Sequence, residues 1–237
     1  MAPRIAVVAY QGVLADESHA FRDVFRRLPG AEVVTVGAEI GPVAGPGGVQ
    51  IVAATFRDIR SVDVIAVPGG LGSHRHREIG WWILATEPSW VVTSSTGSTL
   101  LAASGLLRGR TAATHWLAGP LLERYGARVA KGRIVVDEPY VTCSGRATTT
   151  DAALVVIERL AGPLGVAAVR ESLATCPPVD EPVCESPSRY RPRRGRPRPV
   201  RALLRPTPSE PPAPMAPARP WRRRPPGPVT EIELDDG

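Results

Sequence analysis

Lysine, cysteine and aromatic side chains are all scarce in this 237-residue chain, and each scarcity narrows what the protein can be. Lysine occurs once, at Lys131, against 28 arginines, a bias that points to a GC-rich bacterial coding sequence. The three cysteines, Cys143, Cys176 and Cys184, have neither the CxxC spacing of a zinc site nor the density of a secreted disulfide scaffold. No metal site or cofactor is expected, and a reducing cytoplasmic setting is. No run approaches 18 apolar residues, so no membrane span is expected. The opening MAPRIAVVAYQGV has a short apolar run that feeds directly into patterned sequence, with no small-residue cleavage site.

Proline is not scarce, but it is unevenly placed: 17 of the 26 prolines lie from Pro177 onward. The same stretch carries 12 arginines against 8 acidic residues, which is +4 of the net +6. The pI of about 9.9 therefore describes the tail more than the domain. Two regions follow: a folded domain over residues 1–176, and a Pro/Arg-rich tail over 177–237 that is expected to be disordered because it cannot bury enough apolar surface to offset chain entropy. The tail is either an inert extension or a weak contact for polyanions.

Within 1–176, short β-branched runs alternate with helical patterns, as in βαβ units of a parallel sheet. Strands are expected at 5–8, 33–36, 63–67, 91–93, 133–136 and 140–143, with an added strand at 50–55 after a Gly/Pro-rich turn, GPVAGPGG. Helices are expected near 17–28, 81–85, 97–104, 117–125, 151–161 and 166–174. Gly105 sits where a helix C-terminus favours glycine. The fold class is α/β: a flavodoxin-like, doubly wound, mostly parallel sheet with helices on both faces.

The segment Val91-Val92-Thr93-Ser94-Ser95-Thr96-Gly97-Ser98 runs from a buried strand straight into a helix. Such an elbow exposes one side chain at the carboxyl edge of the sheet, and Ser95 is that side chain. Its alternative reading is a helix N-cap, a place serine favours. Pro68-Gly69-Gly70 follows another buried strand, and glycine there lets the backbone come close to a ligand. Glu17 stands in the first turn of a helix, where an acid is also favoured by the helix dipole. His115 lies 20 residues beyond Ser95. His74 and His76, in SHRHRE, are read as a solvated loop.

Taken together, these motifs resemble the ThiJ/PfpI (DJ-1/PfpI) superfamily, a glutamine-amidotransferase-like group. The likeness is to its isonitrile-hydratase-like branch and to sensor domains of AraC-type regulators. Ser95-Thr96-Gly97 falls on a Cys-Thr-Gly elbow, Ser104-Gly105-Leu106-Leu107 on AGLL, Gly109-Arg110 on GR, and Thr114-His115-Trp116 on THW. The likeness implies Glu17 as the acid beside the nucleophile position and His115 as its neighbouring histidine. It also implies Gly69, Gly70 and Thr96 as substrate contacts, and a homodimer. Cys143-Ser144-Gly145 resembles a structural SAG segment.

Serine replaces the usual cysteine at position 95, and a hydroxyl, unlike a thiol, needs an aligned general base. Ser94 replaces an apolar residue, and Arg146 replaces a small or apolar one. The resulting expectation is a small-molecule site at the elbow with weak or no catalysis, in a ligand-binding or sensor role. The alternative is a hydratase or amidohydrolase acting on a small isonitrile, amide or carbonyl compound through Ser95 or a water held by Glu17. Sequence-specific DNA binding is not expected, because the tail offers no amphipathic helices.

Overall fold

A computed structural model describes residues 2–175 and 228–232. Its centre is an eight-stranded sheet built from β-branched runs too short and too uniformly apolar to be amphipathic helices. In chain order the strands of this sheet and of two small two-stranded sheets, β3-β4 and β8-β9, are β1 (Arg4–Val8), β2 (Glu32–Gly37), the hairpin strands β3 (Gly41–Gly45) and β4 (Gly48–Val52), β5 (Ala54–Thr55), β6 (Val64–Val67), β7 (Trp90–Ser94), the short β8 (Thr111–Ala112) and β9 (Arg128–Val129), β10 (Ile134–Asp137), β11 (Tyr140–Cys143) and β12 (Thr230–Ile232). The main sheet has the order β12-β10-β11-β7-β6-β1-β2-β5. It is parallel from β11 to β5, with β10 and β12 antiparallel at one edge. The expected mostly parallel α/β sheet is thus observed.

Side chains alternate across this sheet. Ile5, Val7, Val64, Ala66 and Val92 face α1 (Ala15–Arg26) and α5 (Arg146–Thr175), meeting Phe21, Phe25, Val156 and Ile157. Ala6, Val8, Ile65, Val67 and Val91 face the other layer, α2 (Arg77–Thr86), α3 (Gly97–Ala103) and α4 (Gly119–Arg124), meeting Ile79, Ile83, Leu100 and Leu101. Because β1, β6 and β7 are adjacent and parallel, the loops at their carboxyl ends converge. Those loops carry Glu17, Gly69 and Ser95.

One expectation is corrected here. The Gly/Pro-rich stretch read as a turn is itself β3, paired with β4 from Gly41↔Val52 to Gly45↔Gly48. Only Pro46-Gly47 is left to turn. The two expected helices near 151–161 and 166–174 are both present within α5, on either side of a break at Gly162, with φ 70° and ψ −173°, beside Pro163. The pieces 146–161 and 163–175 each fall short of the about 20 residues needed to cross a membrane.

Residues 177–227 and 233–237 of the expected disordered tail lie outside the described residues, as does any polyanion contact they make. Residues 230–232, however, form β12, which closes the sheet edge on β10 through Ile134↔Ile232 and Val136↔Thr230. The Thr-Glu-Ile alternation supplies the reason: Glu231 accepts from the Gly132 amide at 2.7 Å, while Ile232 packs on the α1/α5 core. Ile232→Asp is expected to cost about 1 to 2 kcal/mol. Thermal melting should then fall by about 2 to 8 °C, and an unchanged Tm would show that β12 does not stabilise the domain.

Candidate functional site

The elbow between β7 and α3 forces an unusual backbone. Ser95 has φ 51°, a left-handed conformation that a non-glycine residue adopts only under local constraint. The constraint is visible on both sides. The Ser95 amide donates to the Cys143 carbonyl at 3.0 Å, and its carbonyl accepts the Thr114 hydroxyl at 3.0 Å and the Ser98 hydroxyl at 3.2 Å. Gly97 next to it is obligatory: a Cβ there would stand 2.4 Å from the Val67 carbonyl oxygen. Thr96, not Ser95, occupies the N-cap of α3, and neither side chain caps the helix. The geometry does not support the cap reading of Ser95.

Glu17 reaches this elbow from the first turn of α1 and is 3% exposed. Its Oε2 accepts the Gly69 amide at 2.7 Å and the Ser94 hydroxyl at 2.5 Å. Burial pushes the carboxyl above the ordinary carboxylate range. Hydrogen bonds from Ser94, Gly69 and Ser95 pull it partly back, and Asp16 adds to the rise. Ser94 is therefore the residue that sequence reasoning missed as a contact of the acid. Its signal was present, since a serine stood where an apolar side chain was anticipated.

The loop residues hold the site together more than they line it. The Gly70 amide donates to Thr96 Oγ1 at 2.8 Å, and Thr96 donates back to the Gly70 carbonyl at 2.9 Å. Together with the Gly69 amide on Glu17, this commits both expected glycine donors to protein groups. A Cβ on Gly69 would sit 2.8 Å from both Glu17 Oε2 and Ser95 Cβ, so glycine here is a matter of close approach. Tyr10 closes the other side: its buried hydroxyl donates to the Pro68 carbonyl at 2.8 Å, and burial, then Glu17, raises its pKa well above the usual value.

His115 does not join this network. It is half-buried, and its Nδ1 accepts the Leu117 amide at 3.3 Å in a short turn leading to α4. Among the described residues no hydrogen bond joins it to Ser95. His74 corrects the solvated-loop reading: it is 5% exposed in the turn Ser73–Arg75, with neither ring nitrogen partnered among the described residues. His76 is partly exposed and bonded to Glu78. Arg146 pairs with Asp16 at 2.8 Å, tying the start of α5 to the start of α1. No group of three or more His, Cys, Asp or Glu side chains among the described residues is placed to hold a metal.

The fold and site define a doubly wound α/β protein with a set of hydrogen-bonded polar residues at the carboxyl ends of its central strands. The sequence profile of the DJ-1/PfpI family matches residues 3–159, and the chain belongs to that family. It is 35% identical over 166 residues to the isonitrile hydratase of Pseudomonas putida, covering 67% of this chain and 73% of that one. Among solved structures, a ThiJ/PfpI family protein from Pseudomonas syringae superposes with a TM-score of 0.69 at 24% identity, covering 76% of this chain and 78% of the other. DJ-1 of Schizosaccharomyces pombe gives 0.63 at 19%, covering 72% and 98%. These likenesses confirm the fold and the family resemblance read from the motifs.

Two outcomes follow from the site. Cys143 is fully buried, and burial pushes its thiol up to about 12, so it should resist a thiol reagent in the native state. In a Cys176→Ser/Cys184→Ser background slow labelling is expected; fast labelling would place Cys143 nearer solvent. Glu17 gives a pH dependence. Because its pKa is raised in the folded state, its contribution to stability is fully present below the ordinary carboxylate range and lost as pH rises through the folded value. Glu17→Gln should therefore gain in Tm relative to wild type as the buffer goes from acid to neutral, and a relative loss instead would reverse the assigned shift.

Proposed function

We propose that this chain uses the elbow to bind a small, uncharged molecule of isonitrile, amide or carbonyl type, with weak or no catalysis, in a ligand-binding or sensor role. The observation that carries this reading is the setting of Ser95, a hydroxyl where the family likeness places a thiol. Among the described residues no hydrogen bond joins it to His115, whose Nδ1 accepts the Leu117 amide, and its partner Glu17 is buried, which disfavours the charged carboxylate that would take its proton. A serine hydroxyl without such a base is a poor nucleophile. The second reading, a hydratase, is favoured by the 35% identity to an isonitrile hydratase. In it Glu17 gives its proton to the isonitrile carbon and takes one back from the attacking nucleophile: a held water, which gives the formamide after tautomerisation, or Ser95, whose imidate ester a water then hydrolyses to the same product.

One comparison separates the two. Purified wild type, Glu17→Gln and Ser95→Cys are mixed with a simple alkyl isonitrile, and both thermal shift and formamide production are followed. Binding without turnover in wild type, and turnover raised about tenfold or more in Ser95→Cys, is expected from the greater nucleophilicity of a thiolate. Steady turnover by wild type that disappears in Glu17→Gln would establish the hydratase instead.

The family resemblance also implies a homodimer, and one surface suits it. The outer face of the β3–β4 hairpin presents Pro42, Ala44, Val49 and Ile51 side by side, with Ile40 beside it, and residues 40–56 carry no charge. Val49, Ile51 and Ile40 are 50%, 54% and 68% exposed. Contiguous apolar area of this kind marks an interaction surface, and a two-fold contact would set this face against the same face of a second copy. We infer that two chains meet across it. Light scattering should give a dimer mass for wild type and a monomer mass for Ile51→Glu; a wild-type monomer at tens of micromolar would rule the interface out.

A further inference from the structure

The acid and the elbow are joined by a residue that the resemblance assigns no role. Ser94 ends β7, is fully buried, and sits one residue before the elbow position. Its side chain points to the α1 side of the sheet's edge, where its hydroxyl meets Glu17 Oε2 at 2.5 Å. The same oxygen also accepts the Gly69 amide at 2.7 Å. When the acid is protonated, the oxygen that accepts from two donors is its carbonyl oxygen, because a proton on it would compete with both donors for its lone pairs. An apolar side chain at position 94 would leave the Gly69 amide as the one donor of this pair.

We propose that Ser94 is a positioning residue: with the Gly69 amide it fixes Oε2 as the acceptor of Glu17, so that Oε1 is the oxygen that carries and exchanges the proton at the elbow. This rests on the reading of Glu17 as the acid of the site, but not on whether the site turns anything over. The arrangement orients the acid. Rotation of the carboxyl is stopped by two donors from two different elements, β7 and the loop after β6, and Gly69 lacks the Cβ that would displace either. Oε1 is then the atom that a bound acceptor, or the Ser95 hydroxyl, can meet.

The charged and titratable neighbours are few. Asp16 raises the acid, while Tyr10 and Cys143 beside it are raised chiefly by their own burial. Asp16 is paired with Arg146. Of the hydrogen bonds that lower the pKa of Glu17, that from Ser94 is the largest and that from Ser95 is smaller. Removing the Ser94 hydroxyl should thus matter more to the acid than removing the hydroxyl that occupies the nucleophile position.

Infrared titration of full-length protein labelled with carboxyl-¹³C glutamate reads this directly, the Glu17 band being assigned by its loss in Glu17→Gln. In Ser94→Ala the protonated-carboxyl stretch is expected to move to higher wavenumber, since its carbonyl loses one of two donors, and the midpoint to rise by about one pH unit. Ser95→Ala should move the midpoint less, and Ser94→Thr, which keeps a hydroxyl, should restore the wild-type band if the added methyl is accommodated. Circular dichroism identifies any variant that fails to fold; Ser98→Ala, one turn along α3, then controls for elbow disturbance by leaving the band in place. A Ser94→Ala band and midpoint equal to wild type, or a larger shift in Ser95→Ala, overturns the proposal. If the band shifts as expected while no variant binds or converts an isonitrile, the positioning role stands and the functional reading falls.

Discussion

The structure around the site depends on one buried carboxyl. Glu17 is taken out of water by the convergence of α1, the loop after β6 and the end of β7, and a buried acid is tolerable only if its oxygens find donors. The donors come from the two elements it must join, the Gly69 amide and the Ser94 hydroxyl. Other features fall into place around that requirement. Gly69 must be glycine because its Cα approaches both Glu17 and Ser95, and Tyr10 packs its hydroxyl onto the Pro68 carbonyl to hold the loop from the far side.

The elbow itself stores its strain in Ser95, whose left-handed backbone is held by Cys143, Thr114 and Ser98, while its side chain bonds to Glu17. A backbone held this firmly presents a side chain without activating it. A thiol in that position would gain from ionising, whereas a hydroxyl gains little without a base. The neutral lean of the surroundings, with Tyr10, Cys143 and Glu17 all raised, suits an uncharged ligand better than an ionic one.

Much of this was legible in the sequence, and the reasons differ by element. Buried parallel strands such as Val64–Val67 and Trp90–Ser94 announce themselves because both faces are covered, and the elbow and the Thr114-His115-Trp116 run carried the family likeness. The β3 strand was hidden because its glycines and prolines obey turn rules locally, while its pairing with β4 is a tertiary fact. β12 was hidden by the proline-rich stretch before it, although its own Thr-Glu-Ile alternation follows strand rules. At the site, spacing suggested His115, but a neighbouring amide claims its Nδ1. Ser94 was noticed only as a departure, because no one-dimensional pattern says which strand-end hydroxyl faces an acid 77 residues earlier.

The most direct test of the central place given to Glu17 is amide hydrogen exchange at Gly69. In wild type that amide is bonded to the buried carboxyl and should exchange slowly; in Glu17→Ala it should exchange at least about tenfold faster, while amides within β1 and β7 keep their protection. Equal Gly69 protection in the two proteins would contradict the account, because it would mean the loop is held in place without the acid.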